Sequence, residues 1–495
     1  MSNFASLPIS VGLPTELVVS NIDPTMPAEA KSSSIRVYAL NNPTITASCS
    51  AGTVVVGDPL PDIQFPQTDI TFDLPCSQSK SHFLDTRMTS VSFRAVFTVA
   101  TAGTGTIANA QLRSSAYSFF DQLKVNGQSG GLLEHIPEYG LTADTIMQGQ
   151  MSQSSREGQG MLMGYRSNFS GMTNTGDEIN VLTNAGAVLT ATQTCSMNFT
   201  LPLMSGVLGV MADKFFPVGL TKKLLLTLTT ANILPITLLG GTTGGAGPTF
   251  SVSLTDFWLN AEIIDIGANA FNQIASTLSD GKMYLHGQTY KTTTALIPGG
   301  ASGVMNLPVG LTGSSVRSLF ARFHEAAGTP TLNTSVWGKY SSSNPNLNSI
   351  AWNIGGTQVP SSSYNPLLHP AQTFRSYLQA LGSFNSTQFN TAICQVYYQR
   401  LISTGTASGR TSTTQDQGWD KGGNITYQNS FFVGENLETI PRRGLLSGQD
   451  LTFQKVHLAL QSTASTNNPV NVYIHALLDC ITILDIASGE CVTII

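Results

Sequence analysis

The chain has 495 residues, with 24 Lys and Arg against 29 Asp and Glu, giving a formal charge of −5. Only 11% of residues are charged, less than half the roughly 25% usual in globular proteins, while 41% are hydrophobic. That balance excludes a disordered polyelectrolyte, and no run of about 18 uninterrupted apolar residues marks a transmembrane helix.

Ser and Thr make up roughly a fifth of the chain, beside 46 Gly and 23 Pro. The mixture favours many short strands joined by turns, since Thr suits a pleated surface and Gly, Pro, Asn and Ser form turns. All-β sandwiches commonly run to about 200–250 residues, so two large β domains are expected. Met1-Ser2-Asn3-Phe4 offers no cationic region ahead of an apolar core, so no secretory signal is expected and synthesis is expected inside a cell. Cys49, Cys76, Cys195, Cys394, Cys480 and Cys491 are far apart and form no CxxC, so they read as free, buried thiols. The five Asn-x-Ser/Thr sequons, at Asn168, Asn198, Asn333, Asn385 and Asn424, read as chance in so Asn-, Ser- and Thr-rich a chain.

Residues 1–65 form a Pro-punctuated, net acidic opening segment, expected as an N-terminal arm. Lacking clustered Lys and Arg, it cannot displace counterions from nucleic-acid phosphates. Alternation begins at residue 68. Ile70, Phe72 and Leu74 share one face of a strand, and Val91, Phe93, Ala95, Phe97 and Val99 the inner face of the next. Ser90, Ser92, Arg94 and Thr98 are expected outward, a half-buried sheet pattern. Phe119–Val125 and Leu132-Leu133 read as a hairpin across Asn126-Gly127. Cys195, Met197, Phe199 and Leu201 repeat the pattern, as do Leu224, Leu226 and Leu228. Phe250 to Ile264 is a long strand whose phase slips near Thr255-Asp256, the mark of a bulge.

In the second half, Ile350, Trp352 and Ile354 alternate up to Gly355-Gly356. A helix is expected from His369-Pro370, with Phe374, Tyr377, Leu378 and Leu381 as its apolar stripe and Gly382 at its end. Further strands are expected near 392–398, 428–433, 453–460 and 470–484, with Cys394 in phase with Ala392, Val396 and Tyr398. Long loops poor in charge are expected at 102–115, 144–192, 240–249, 325–348 and 403–427, suited to displaying surface on a rigid scaffold.

Catalytic signals are absent from the letters. His82, His135, His286, His324, His369, His457 and His475 include no helical i, i+4 metal pair, and His324-Glu325-Ala326-Ala327-Gly328 lacks the second His of HExxH. His475 reads as a satisfied sheet histidine. The run Gly240–Gly247 lacks a GK[ST] ending and leads into a strand, so it reads as a hairpin loop. No GxSxG elbow occurs, although a spatial Ser/His/Asp triad is not visible to such a scan. Asp69 and Asp73 read as a solvated sheet face, Arg442-Arg443 as too small a basic patch for nucleic acid, and Trp258, Trp337, Trp352 and Trp419 as packing residues. No catalytic, cofactor-binding or metal-binding residue is nominated, and no cofactor is expected.

Ser118-Phe119-Phe120-Asp121-Gln122-Leu123-Lys124-Val125-Asn126-Gly127, followed by Leu132-Leu133-Glu134-His135-Ile136, resembles the first-domain signature of double jelly-roll major capsid proteins of polinton-like viruses and virophages. Thr71-Phe72-Asp73-Leu74-Pro75 with Phe83-Leu84-Asp85-Thr86, and Leu201-Pro202-Leu203-Met204-Ser205-Gly206-Val207-Leu208-Gly209 leading to Phe216-Pro217, are similar to further parts of that family. Ile354-Gly355-Gly356 with Val359-Pro360, then Leu446-Ser447-Gly448-Gln449-Asp450-Leu451 and Leu484-Asp485 near Gly489, match its order in the second half.

The resemblance implies an all-β chain of two consecutive eight-stranded antiparallel jelly-roll sandwiches, with short helices in the connections, over 66–268 and 269–495 after the arm. It implies a major capsid protein forming pseudo-hexagonal homotrimers in the icosahedral shell of a double-stranded DNA virus, and so residence in the virion capsid. Neighbouring capsomers and penton and minor capsid proteins would be its partners, without specific nucleic-acid binding and without a transmembrane segment. The chain ends about ten residues after its last long strand, so the extra C-terminal domain of some relatives is not expected. The alternative from another class is a monomeric carbohydrate-binding or adhesive β-sandwich protein marked by loop-borne aromatics; a β-sandwich hydrolase is a third.

Overall fold

The structure is a computed structural model. It describes residues 30–50 and 64–495, apart from 102–106, 165–179, 184–193, 241–248, 326–339, 383–390, 394–397, 399–429, 439–445, 463–468 and a few single or paired positions. The strands begin earlier than the alternation at residue 68. Lys31–Tyr38 and Ile45–Ser50 both pair antiparallel with Thr249–Asp265, within the stretch expected as an arm. Each is a short alternating run, and Asn41 and Asn42, both with positive φ, break the strand between them.

Taken as one interrupted strand, residues 31–50 are the first of eight. The others, in chain order, are Asp69–Asp73, Ser90–Thr101, Phe120–Gly127, Leu132–Pro137, Thr194–Pro202, Leu224–Thr230 and Thr249–Asp265. One sheet runs first, eighth, third, sixth; the facing sheet runs second, seventh, fourth, fifth. The second half repeats the winding with Lys282–Ile297, Gly303–Val309, Val316–Glu325, Leu347–Ile354, Thr357–Tyr364, Phe432–Asn436, Val456–Ser462 and Val470–Asp485. Neighbouring strands are antiparallel throughout these sheets. This order places the chain's ends of each sandwich side by side in one sheet and wraps the hairpins across both, which is jelly-roll winding. Repetition absent from the letters is thus present in the topology.

The inward sets are those the alternation requires. Ile70, Phe72, Leu74, Val91, Phe93, Ala95, Phe97, Phe199, Leu201, Leu224, Leu226 and Leu228 are all buried. Phe93 is the hub of the first core, with the rings of Phe119, Phe120, Phe199 and Phe257 all centred between 5.4 and 5.8 Å away. The expected slip in the long strand lies between Thr255 and Trp258, where Asp256 adopts φ 54°. The expected helix is Pro370–Ala380, with Gly382 at φ 70° after it.

Several expectations shift. Ser92 is buried, bonded to Thr200 Oγ1 at 2.9 Å and to Asn260 Nδ2 at 2.8 Å, so it belongs to a polar ladder within the sheet. The loop expected over 102–115 contains the strand Ile107–Leu112, which joins Ile236–Gly240 and Asn180–Thr183 in a small third sheet. The loop expected from 144 begins inside a helix, Tyr139–Gln150. The strands expected near 428–433 and 453–460 are Phe432–Asn436 and Val456–Ser462. The side chains of Cys49, Cys195 and Val99, the residue Cys394 with most of 392–398, and the runs 241–248 and 403–427 lie outside the described residues.

Candidate functional site at the junction of the sandwiches

The two sandwiches meet through side chains that sequence patterning does not single out. After the strand Leu132–Pro137, Glu138 takes φ 52° and turns the chain into Tyr139–Gln150. All but two of that helix's twelve residues are buried, so it has no solvent face. Two glycines allow this. A Cβ on Gly140 would stand 2.5 Å from Tyr117 O in the first sandwich, and one on Gly149 would stand 2.2 Å from Leu381 Cδ1 beside the second.

Asp144, near the middle of the helix, accepts from Ser114 Oγ and from Gln148 Nε2 at 2.9 and 3.0 Å. It also pairs with Arg322 Nη1 at 2.9 Å, from the second sandwich's strand Val316–Glu325, and both side chains are fully buried. Arg322 donates further to Leu141 O at 3.3 Å and Thr145 Oγ1 at 3.0 Å, and lies 5.3 Å from the centre of the Phe432 ring. Desolvating two charges is expensive, and a pair of this kind holds only when the remaining lone pairs and protons are satisfied, as most are here. Tyr377 Oη donates to Thr145 O at 2.5 Å and Ser430 Oγ to Gln148 Oε1 at 2.7 Å, adding direction to the docking. His475 completes this end: its Nδ1 lies 2.8 Å from Thr292 Oγ1 and 3.2 Å from Thr142 Oγ1. Burial lowers its pKa to about 3, with the Arg322 charge acting in the same direction, so the ring is neutral.

A second contact lies further along Lys282–Ile297, the strand that carries Thr292. Glu134 is buried in the first sandwich and accepts from Thr289 Oγ1 of the second at 2.6 Å, from Gly206 N at 2.8 Å and from Ser205 Oγ. Desolvation pushes its carboxyl above the usual range, and these donors oppose the shift. Gly206 and Gly287 face each other so closely that a Cβ on Gly206 would be 2.0 Å from Gln288 O. Lys214 Nζ bridges the boundary, donating to His286 O at 3.0 Å, and burial lowers its pKa to about 8. Beside it a groove of about 630 Å³ is lined by Val210, Met211, Asp213, Lys214, Tyr284 and His286.

His286 Nε2 is 3.2 Å from Asp479 Oδ1, while Ser315 Oγ donates to Asp479 Oδ2 at 2.7 Å. Burial raises the Asp479 pKa, but His286, Ser315 and the Arg317 charge outweigh it and leave the carboxyl below its usual value. Ser315, Asp479 and His286 form one Ser/His/Asp grouping among the described residues, and Ser81, Asp265 and His82 form another, with Ser81 Oγ 2.5 Å and His82 Nε2 3.8 Å from the Asp265 carboxylate; the order of neither suits nucleophilic attack. The carboxylate stands between hydroxyl and imidazole, whereas activation needs the imidazole at the hydroxyl. Arg317 continues the chain to Glu438 and to Asp479 at 3.5 Å. These groups orient one another and hold elements in register.

The other residues weighed in the sequence lie apart. Asp69 is an exposed acceptor for Thr229 Oγ1 at 2.6 Å, and Asp73 is exposed at the other end of its strand. His324 stacks on Tyr473 at 5.0 Å, Trp352 is buried, and Trp258 carries Arg36 5.8 Å from its ring centre. Arg442, Arg443, Trp337 and Trp419 lie outside the described residues. Among the described residues, no group of three or more His, Cys, Asp or Glu could hold a metal ion. Large apolar side chains do reach solvent. Phe453 is 95% exposed at a turn, and Val492, Ile483 and Tyr284 form one cross-strand row on the outer face of the second sandwich, with Val492 and Tyr284 exposed.

No family model matches the chain, and no curated protein matches it. Solved structures do. The Faustovirus major capsid protein aligns over 93% of this chain and 91% of its own, at 11% identity and a TM-score of 0.50. A chain from the 3.5 Å cryo-EM structure of the Sputnik virophage aligns over 91% and 88%, at 10% identity and a TM-score of 0.51. The fold is the double jelly roll. Within this double jelly roll, Tyr139–Gln150 and the Asp144–Arg322 pair form the seam between the two rolls, and the Glu134 cluster closes its other end.

Proposed function

We propose that this chain is a major capsid protein that self-assembles as homotrimers in the icosahedral shell of a double-stranded DNA virus. The observation that carries the reading is the pairing of two sandwiches of identical winding through a buried, charge-paired seam. A single chain then presents two near-equivalent wedges in fixed relation, and three chains present six, a pseudo-hexagonal outline that can tile a surface. The likeness in fold to the Faustovirus capsid protein supports the same reading. So does the low charge of the chain, because surfaces poor in charge are cheaper to bury against copies of themselves.

Its place would be the virion capsid, with neighbouring capsomers as partners and penton and minor capsid proteins at the special positions. The role would be structural, with no catalytic, cofactor or metal residue assigned. With a charge of −5, the chain would neutralise few phosphates and bind duplex DNA weakly. We place the division between the rolls at 268–269. The pairing of 31–50 with Thr249–Asp265 supports counting that stretch with the first roll, which otherwise covers 66–268. Negative-stain microscopy of the purified chain tests the proposal: pseudo-hexagonal particles or shells are expected, and isolated two-lobed monomers would count against it.

A further inference from the structure

Cys76 follows the strand Asp69–Asp73 of the first roll, whereas Cys491 opens Cys491–Ile494, a short strand paired with Ile481–Leu484 of the second. Two routes through the structure bring them to one place. On one side, a Cβ on Gly489 would be 2.7 Å from Leu220 O and 3.2 Å from Lys222 Cγ. Thr221, between those two residues, donates its Oγ1 proton to Cys76 Sγ at 3.2 Å. On the other side, a Cβ on Gly127 would be 3.9 Å from Cys491 O. Gly127 pairs with Leu224, whose N–H is directed at the Cys76 sulfur and whose carbonyl accepts from Leu74 N at 3.1 Å. Both cysteines are free, half-buried thiols packed against the same core, and burial, with the nearby Cys76 adding to it, raises the Cys491 thiol.

We propose that Cys76 and Cys491 are a disulfide cross-link site that clasps the last strand of the second roll to the first roll in an oxidising medium. The oxidant is a small disulfide of the glutathione type. The Cys76 thiolate attacks one of its sulfurs, forming a mixed disulfide and releasing one thiolate. The Cys491 thiolate then attacks the Cys76 sulfur and expels the second small thiolate. Two protein thiols lose two protons and two electrons, and one small disulfide becomes two thiols.

Cys76 is the better first attacker because Thr221 and Leu224 supply hydrogen bonds to its thiolate. Burial raises both thiols, Cys491 to about 12, so thiolate is scarce at neutral pH and closure is slow. A chain made in a reducing cytosol would keep both thiols and close the clasp after leaving it. That timing rests on the capsid reading, but the cross-link itself does not.

The test is incubation of the full-length protein with oxidised glutathione at mildly alkaline pH, followed by acid quenching, intact mass and non-reducing peptide mapping. The expected result is the loss of two hydrogens, a Cys76–Cys491 linked peptide and a higher melting temperature that dithiothreitol reverses. Cys76→Ser, Cys491→Ser and Cys491→Ala should each abolish the linked peptide and the shift. Stable glutathione adducts on the two cysteines without closure, or pairing of either with another cysteine, would overturn the proposal. The result is read on folded protein whether it is trimeric or monomeric, so its failure is separable from that of the capsid reading.

Discussion

Removing one charge from the seam should cost more than removing both. Asp144→Asn leaves Arg322 fully buried and cationic without its carboxylate partner, with Leu141 O and Thr145 Oγ1 among the neutral acceptors beside it. Breaking one side of a buried ion pair typically costs about 3–5 kcal/mol. Arg322→Met strands the Asp144 carboxylate with Ser114 and Gln148 as its donors, for a loss of similar order. The double variant keeps those donors, strands no charge and fills most of the volume, so it should lie within about 2 kcal/mol of wild type. The coupling between the two substitutions is then several kcal/mol. Equilibrium unfolding in guanidinium measures it, with all four proteins at one concentration because self-association adds to apparent stability. Single and double effects that add within about 0.5 kcal/mol would show that the pair does not hold the rolls together.

Three further outcomes follow from the same geometry. Phe199→Ala should cost about 3–5 kcal/mol, because the ring fills the space beside Phe93 at 5.4 Å and Phe119 at 6.4 Å, and the unfolding midpoint reads the loss. Gly206→Ala should cost at least about 2 kcal/mol, since the new methyl meets Gln288 O at 2.0 Å and the seam must open; an unchanged midpoint would refute that contact. His475 is neutral when folded, with a pKa near 3, but takes a proton below about 6.5 when unfolded. The unfolded state therefore binds more protons in that window, and stability falls by about 1.4 kcal/mol per unit as pH drops from 6.5 toward 3. His475→Gln should flatten that slope relative to wild type, and identical slopes would refute the assignment.

Half-buried strands were legible because their side chains alternate between core and water. Phe72, Phe93 and Leu226 could be placed inward from spacing alone, and Asp256 disclosed its bulge by breaking the phase. The seam left no such trace. Tyr139–Gln150 is buried all round, so Thr142, Asp144, Thr145 and Gln148 interrupt any apolar stripe, and from residue 144 onward it reads as loop. Asp144 and Arg322 are brought together only by the docking of two rolls, and no spacing rule links residues so far apart. Ser92 is similar: its hydroxyl is buried because Thr200 and Asn260 stand beside it on neighbouring strands. Residues 31–50 were masked by their brevity, each run offering two or three inward positions before the Asn41-Asn42 turn. Gly206 and Gly287 look like ordinary loop glycines until the opposing backbone is in place.

If the paired rolls exist to assemble, native mass spectrometry of the intact chain at micromolar concentration should show it. The expected result is a dominant species of three times 52.5 kDa that persists on dilution, as for an obligate interface burying well over about 2,000 Å². A clean 52.5 kDa monomer under those conditions would contradict it.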